Sequence, residues 1–365
     1  MILVEVFLYF LRLGFVGFGG PLSIIAILQK ELVEERAWIS EKEFKQVFAL
    51  VKSMPGPIAF QLCVFLGGRK AGFLGSMLAA IGFVVPAFLL MIIFGYYYQS
   101  YAAISEVQGF LIGMQAAAVL TILVGLRPLF IPYLRRGKFW LLMALGAFSF
   151  YVALLPEPIL ILGGAALWAM LSRVGKSKNL PAIFLSPKML AMKNLLLVCF
   201  KAGAIVFGTG LAIVPLLELD FVERLGWMTH GQFMDALAMG QVTPGPVVIT
   251  ATFIGFQKLG MLGAVGATVA VFLPSFFHMV TWFPRALVFL SRQSWIEDFT
   301  FAATSIIIGT LLVTITRMID PWRATPFAFV VFGFCLVVWL KFRVPPWALI
   351  PLGGFLGLVG QLIHF

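Results

Sequence analysis

The sequence predicts an all-α polytopic membrane protein made of two homologous halves related as an inverted repeat, each with about five transmembrane helices and a re-entrant helical hairpin. Three observations carry this. The 365 residues are 61% hydrophobic and only 11% charged, and the apolar runs reach the roughly 20 residues a helix needs to cross the hydrocarbon core. The sequence repeats itself at about half its length. Pro55-Gly56-Pro57 recurs as Pro244-Gly245-Pro246 inside apolar sequence, where proline removes a backbone donor and breaks a helix. Such a break is tolerated in hydrocarbon only where the freed backbone faces protein or a water-filled cavity, so each one marks a candidate cavity.

The apolar runs of the first half cover residues 3–28, 46–67, 71–98, 106–130, 139–155 and 158–172, and those of the second half 194–217, 236–256, 260–283, 300–318, 324–340 and 346–363. The first run lacks a basic leading region and reads as a retained helix, not a cleaved leader. An offset of 189 places Phe18-Gly19 on Phe207-Gly208, Trp38 on Trp227 and the first Pro-Gly-Pro on the second. After one deletion an offset of 188 places Gly67, Lys70, Gly72 and Pro86 on Gly255, Lys258, Gly260 and Pro274. The domains expected are therefore 1–172 and 194–365, with the basic segment 173–193 as a cytoplasmic linker, because short cytoplasmic loops collect Lys and Arg.

Charge then orients the chain. Lys30, Arg36, Lys42, Lys45, Lys52 and Arg69-Lys70 place both ends of the run containing Pro55-Gly56-Pro57 on the inside, so this run is a pair of half-helices entering and leaving by one face. Segment 218–235 carries acids and the single basic residue Arg224, which fits the outside and inverts the second half. Arg317 and Arg323 oppose the scheme. The inverted hairpins are expected to meet tip to tip, as in many secondary transporters.

The candidate binding residues cluster at these breaks. Arg12 and its repeat partner Lys201 lie inside apolar runs, where a cation costs at least about 2.5 kcal/mol and normally faces a cavity or a partner. Phe18-Gly19-Gly20-Pro21 and Phe207-Gly208-Thr209-Gly210 break the same helices, and free N–H groups at a half-helix start form an anion site. Around the hairpin tips, Pro55, Gly56, Pro57, Pro244, Gly245 and Pro246 are flanked by Lys52, Gln61, Thr243 and Thr250, a donor-rich set suited to an oxyanion. The paired acids Glu31 and Asp220, and Glu34 and Glu223, are candidates for coupling proton movement to transport.

Several classes are excluded. His230, His278 and His364 are scattered, and Cys63, Cys199 and Cys335 lie far apart, so neither a metal site nor a redox pair is expected. The Gly-rich stretches do not follow a strand as a dinucleotide or phosphate loop requires. No enzyme chemistry and no cofactor is expected. The net charge of +11 is spread over short loops and does not indicate nucleic acid.

The segments Leu13-Gly-Phe-Val-Gly-Phe-Gly-Gly-Pro21, Glu31-Leu-Val-Glu-Glu-Arg-Ala-Trp-Ile-Ser40, Met54-Pro-Gly-Pro57 and Thr243-Pro-Gly-Pro-Val-Val-Ile-Thr-Ala-Thr-Phe-Ile-Gly255 resemble the chromate ion transporter family in its long, two-domain form. The resemblance covers nearly the whole chain. It implies export of chromate across the inner (plasma) membrane, driven by the membrane potential or a proton gradient, with sulfate as a related anion. Many relatives carry a carboxylate after the first Pro-Gly-Pro, where this chain has Ile58-Ala59-Phe60. The expected function is secondary transport by alternating access; the alternative is an oxyanion channel on the same scaffold. The expected partners are the oxyanion, the lipid bilayer and a second copy of the chain in a homodimer.

Overall fold

The computed structural model describes residues 1–52, 54–151, 186–206, 210–290 and 295–363. Every regular element among them is helical. The expected helix 158–172, most of the linker, and Phe207, Gly208 and Thr209 lie outside the described residues.

The first apolar run, expected as one membrane helix, doubles back on itself. α1 (Ile2–Val16) ends at a break over residues 17–20, and α2 (Pro21–Leu28) restarts and continues as a π-helical turn, Gln29–Glu35. Gly19 and Gly20 hold φ of 91° and 81°, the left-handed region that glycine enters without penalty. Pro21 occupies the first helical turn, where a missing N–H is no loss. The reversal is fixed by contacts far apart in sequence: Arg12 pairs with Glu31 at 3.1 Å, and Arg36 with Glu5 at 3.5 Å. In a straight helix residues 12 and 31 would be about 28 Å apart.

A second hairpin follows. α3 (Glu41–Val51), capped by the Ser40 hydroxyl, leads to the first Pro-Gly-Pro, and α4 (Ile58–Tyr101) leads away from it. α4 is not one rod. Ala71 and Gly72 leave helical geometry, Gly72 with φ of 65°, and the Ser76 hydroxyl donates to the Val64 carbonyl at 2.9 Å. Twelve residues of straight helix would separate these by about 18 Å, so the arms 58–70 and 73–101 fold together. A Cβ at Gly67 would strike the Gly75 carbonyl, which is why the close approach uses glycine on both arms. α3 and the first arm, at about 16 and 20 Å, are too short to cross the roughly 30 Å hydrocarbon core. The second arm is long enough. α5 (Ser105–Phe130) returns after a short turn, and α6 (Gly137–Tyr151) follows.

The second half repeats these elements. α7 (Pro187–Ile205), α8 (Ile213–Glu218) with the π turn Leu219–Arg224, α9 (His230–Val242), and α10 (Thr250–Val280) match α1, α2, α3 and α4. Gly260 turns α10 at φ of 64° as Gly72 turns α4. α11 (Phe283–Leu290), α12 (Trp295–Ile319), α13 (Phe327–Phe342) and α14 (Pro346–Leu362) complete the chain. Among the described residues four helices are long and apolar enough to span a membrane, and α13 and α14 are shorter apolar helices. The second arm of α4 turns Phe73, Met77, Ile81, Leu89 and Ile93 outward, an apolar face suited to lipid.

The repeat also dictates packing. Gly14 sits against the carbonyl of Phe83, and its partner Gly203 against that of Val271, so α1 and α7 press directly on the long arms of α4 and α10. Lys70 lies 5.0 Å from the Trp38 ring centroid and Lys258 lies 5.2 Å from that of Trp227. Across the halves, α5 packs on α13 and α14, and α12 packs on α6.

One residue breaks the match. Ala37 adopts φ of 49° where the second half has Gly226 at 57°, and a left-handed L-residue costs roughly 1–2 kcal/mol. Part of the relief is offset by glycine's freer unfolded state. We expect Ala37→Gly to raise stability by up to about 1 kcal/mol and Gly226→Ala to lower it by about as much, read as opposite Tm shifts of the detergent-solubilised protein.

Candidate functional site

The hairpin tips meet the broken helices of the opposite half. The Gly56 N–H donates to the Val206 carbonyl at 2.5 Å, and the Gly245 N–H donates to the Gly17 carbonyl at 3.0 Å. Gly56 and Gly245 are repeat partners, and so are Gly17 and Val206. A reciprocal pair of equivalent contacts is what a twofold rotation generates. Each bond satisfies a carbonyl that the end of α1 or α7 leaves without a helical donor. Each tip glycine has positive φ, 126° at Gly56 and 107° at Gly245, which lets the peptide between two prolines turn its N–H outward.

At the junction of the α1 break with the second hairpin lies a cavity of about 280 Å³, room for an anion with several waters. Gly19, Gly20 and Pro21 line it together with Gln241, Thr243 and Gly245. Thr121 and Gly125 of α5 and Trp347 of α14 complete it. The Thr121 hydroxyl lies 2.8 Å from the Ala118 carbonyl and also contacts Gln241 Oε1. Gln241 Nε2 is buried without a hydrogen-bond partner, and a buried unmet donor is costly unless something else fills it. α2 starts at this cavity with Pro21, so the positive end of its dipole lies there, although proline itself brings no N–H. No charged side chain lines the cavity among the described residues.

The expected residues divide between two junctions. Gly19, Gly20, Pro21, Thr243 and Gly245 line the cavity, Pro244 and Pro246 flank it in sequence, and the Phe18 ring lies tilted with its centroid 4.8 Å from that of the lining residue Trp347. Gly210 adjoins Leu211, which lines the wall, and the Thr250 hydroxyl donates to the Val247 carbonyl at 2.9 Å just beneath it. Pro55, Gly56, Pro57 and Gln61 stand at the other junction, where Gln61 Nε2 donates to the Pro55 carbonyl at 2.5 Å and Ser275 is the neighbour across the halves. Lys52 is exposed and lies 5.9 Å from the Phe48 ring, away from the cavity.

The two cations face carboxylates and not the cavity. Arg12 pairs with Glu31, and Lys201 with Asp220, which also holds Arg224 at 3.0 Å. These are repeat-equivalent pairs, and each ties together the two pieces of a broken helix. Glu34 is exposed. Glu223 lies 3.3 Å from His230 and 3.5 Å from Arg317. Arg317, which opposed the charge scheme, thus has an acid partner, as does Arg323 with Asp320 at 3.2 Å.

Thr121, Gln241 and Trp347 escaped the sequence reading. Gln241 had a readable signal: it is the repeat partner of Lys52 and stands two residues before Thr243. Thr121 and Trp347 lie on helices whose approach to the cavity is set by packing alone.

Broken helices meeting across a duplicated helical scaffold around a small, mainly apolar cavity with a few polar groups define a polytopic membrane transporter. The chain belongs to the chromate transporter family, whose model matches residues 4–170 and 193–358. It is 36% identical to a probable chromate transport protein of Synechococcus elongatus over 84% of this chain and 82% of that one. It is 34% identical to the chromate transport protein of Pseudomonas aeruginosa, covering 77% of this chain and 73% of that one. For that of Cupriavidus metallidurans the identity is 32%, with 86% and 83% covered. No solved structure matches the chain.

The ion pairs differ in burial and hence in weight. Asp220 has a side chain 6% exposed and Arg12 one 60% exposed. Removing a buried partner strands charge, whereas exposed pairs are screened. We expect Asp220→Ala to cost about 2–3 kcal/mol and Glu31→Ala about 0.5 kcal/mol, measured by thermal unfolding, with the ranking as the test.

Proposed function

We propose that the chain is a secondary transporter that exports chromate, or a related tetrahedral oxyanion such as sulfate, across the inner (plasma) membrane by alternating access, and that the cavity is its anion site. The observation that carries this reading is the donor set. Gln241, Thr121 and Thr243 line one space with no carboxylate among its described lining; Gln241 Nε2 has no hydrogen-bond partner, and the two hydroxyls, which donate to the Ala118 and Gly240 carbonyls at 2.8 Å, would turn to an anion. A tetrahedral dianion offers oxygens in every direction and no hydrogen to donate, so a cradle of donors fits it. The matched names of the relatives supply the cargo.

Helix directions support inversion of the halves. The second arm of α4 and α5 are joined by a short turn and so run antiparallel, which makes α5 antiparallel to α3 as well. Gln115 meets Asp235 and Thr121 meets Gln241, both pairs 120 residues apart, so α5 and α9 run the same way. α9, the repeat partner of α3, therefore points oppositely to it. On this reading the repeats are 1–172 and 194–365, and the linker 173–193 is cytoplasmic. Rocking of one half against the other, about the two reciprocal tip contacts, would open the cavity alternately to each face.

Chromate uptake into everted vesicles tests the site. One charge-assisted hydrogen bond is worth about 1.5–3 kcal/mol, so Gln241→Leu and Thr121→Val should each raise KM by about tenfold or more. Lys52→Gln should leave it within about twofold. Unchanged KM in both cavity variants together with loss of transport in Lys52→Gln would move the site to the other junction, and uptake that never saturates would favour a channel.

A further inference from the structure

We propose that Asp235 is a proton-binding site coupled to anion binding, so that a proton travels with the oxyanion; the proposal rests on the anion site argued above. Asp235 is 6% exposed on α9, in the middle of the seam between the halves. Its carboxylate accepts from the Tyr98 hydroxyl at 2.7 Å and from Gln115 Nε2 at 2.8 Å, donors on the long arm of α4 and on α5. Both are neutral. A buried carboxylate held by neutral donors has no fixed countercharge, so its own proton decides the local charge.

Its place relative to the cavity makes that charge matter. Gln115 and Asp235 pair across α5 and α9 six residues before Thr121 and Gln241 pair across the same two helices. Six residues of helix are about 9 Å. A unit negative charge at that distance from a dianion, in a partly shielded interior, weakens binding on the order of a hundredfold. Neutral Asp235 removes the repulsion. By linkage, the anion then draws a proton onto Asp235 to the same extent.

Protons have a route. A second cavity of about 150 Å³ abuts Tyr98 and is lined by Gln232, Gln257 and Lys258. Asp235 lies between this cavity and the anion cavity. The first half has Gln46 at the equivalent position, so the device belongs to one half only.

The other titratable groups nearby are engaged elsewhere. His230, at the start of α9, lies 3.1 Å from Glu218 and 3.3 Å from Glu223. Arg317 of α12 contacts Glu223 at 3.5 Å, and Lys258 of α10 lies over Trp227. α14, which also packs on α9, carries no titratable side chain. One proton carried with one dianion leaves a net negative charge, so an inside-negative potential still drives export.

The test is proton uptake by the full-length protein in weakly buffered detergent solution at mildly alkaline pH, where chromate is already the dianion. Addition of chromate should draw up to one proton per chromate bound, and the affinity of the wild-type protein should fall up to tenfold per pH unit as Asp235 ionises. Asp235→Asn should bind chromate with a flat pH profile and take up no proton. Infrared difference spectra of the wild-type protein should show a protonated carboxyl band on chromate binding, which keeps the test independent of how well the variant folds. Chromate binding without proton uptake or that band, or an unchanged pH profile in Asp235→Asn, overturns the role of Asp235 and leaves the anion site standing. No chromate binding by the wild-type protein overturns both.

Discussion

The architecture depends on how the backbone groups freed by the broken helices are satisfied. An unpaired peptide group in hydrocarbon costs several kcal/mol. Here the last carbonyls of α1 and α7 accept from the glycine N–H groups of the opposite hairpin tips. Neither half can meet that need alone, because each tip reaches only the other half's broken helix. The halves are therefore bound together at the places where their helices fail. The prolines on either side of each glycine remove competing donors, so the glycine N–H is the one group left to make the bond.

Duplication supplied the frame, and divergence supplied the chemistry. The features kept in both copies are mechanical: the turns at Gly72 and Gly260, the Trp38–Lys70 and Trp227–Lys258 contacts, and the ion pairs of Arg12 and Lys201. The residues that differ are polar groups at the seam. Lys52 stands opposite Gln241, Met54 opposite Thr243, Gln46 opposite Asp235 and Ala87 opposite Ser275. On the proposed mechanism a symmetric scaffold would rock between two equivalent poses, while an asymmetric lining would let a single cavity carry the selectivity.

Much of this was legible in the sequence because glycine and proline have few structural excuses in an apolar run. The breaks at 17–20 and at both Pro-Gly-Pro tips, and the helical class, follow from those residues and the hydropathy pattern. The reversal of the first run was not legible. Periodicity reports that α1 and α2 are helical and apolar but not the angle between them, and the contacts that fix the angle, Arg12 with Glu31 and Arg36 with Glu5, join charges inside the first run to charges beyond its end that look unrelated to them. The same pairs explain why the intramembrane cations seemed to be ligands. A cation in an apolar segment announces a partner, and sequence alone does not say whether the partner is cargo or protein.

That distinction bears on how a carrier of dianions must be built. A site lined by Arg12 or Lys201 would hold a doubly charged ion through full Coulomb attraction in a shielded interior, and release would be slow. Conduction and carriage both require binding strong enough to enter and weak enough to leave. At the proposed site, neutral groups such as Gln241 and Thr121 would grip the ion through partial charges only. The cations are instead neutralised by Glu31 and Asp220, where they hold each broken helix in its folded-back form. Loss of those pairs should therefore disturb the pose of the site before it changes the site's chemistry, which separates positioning from binding in any comparison of variants.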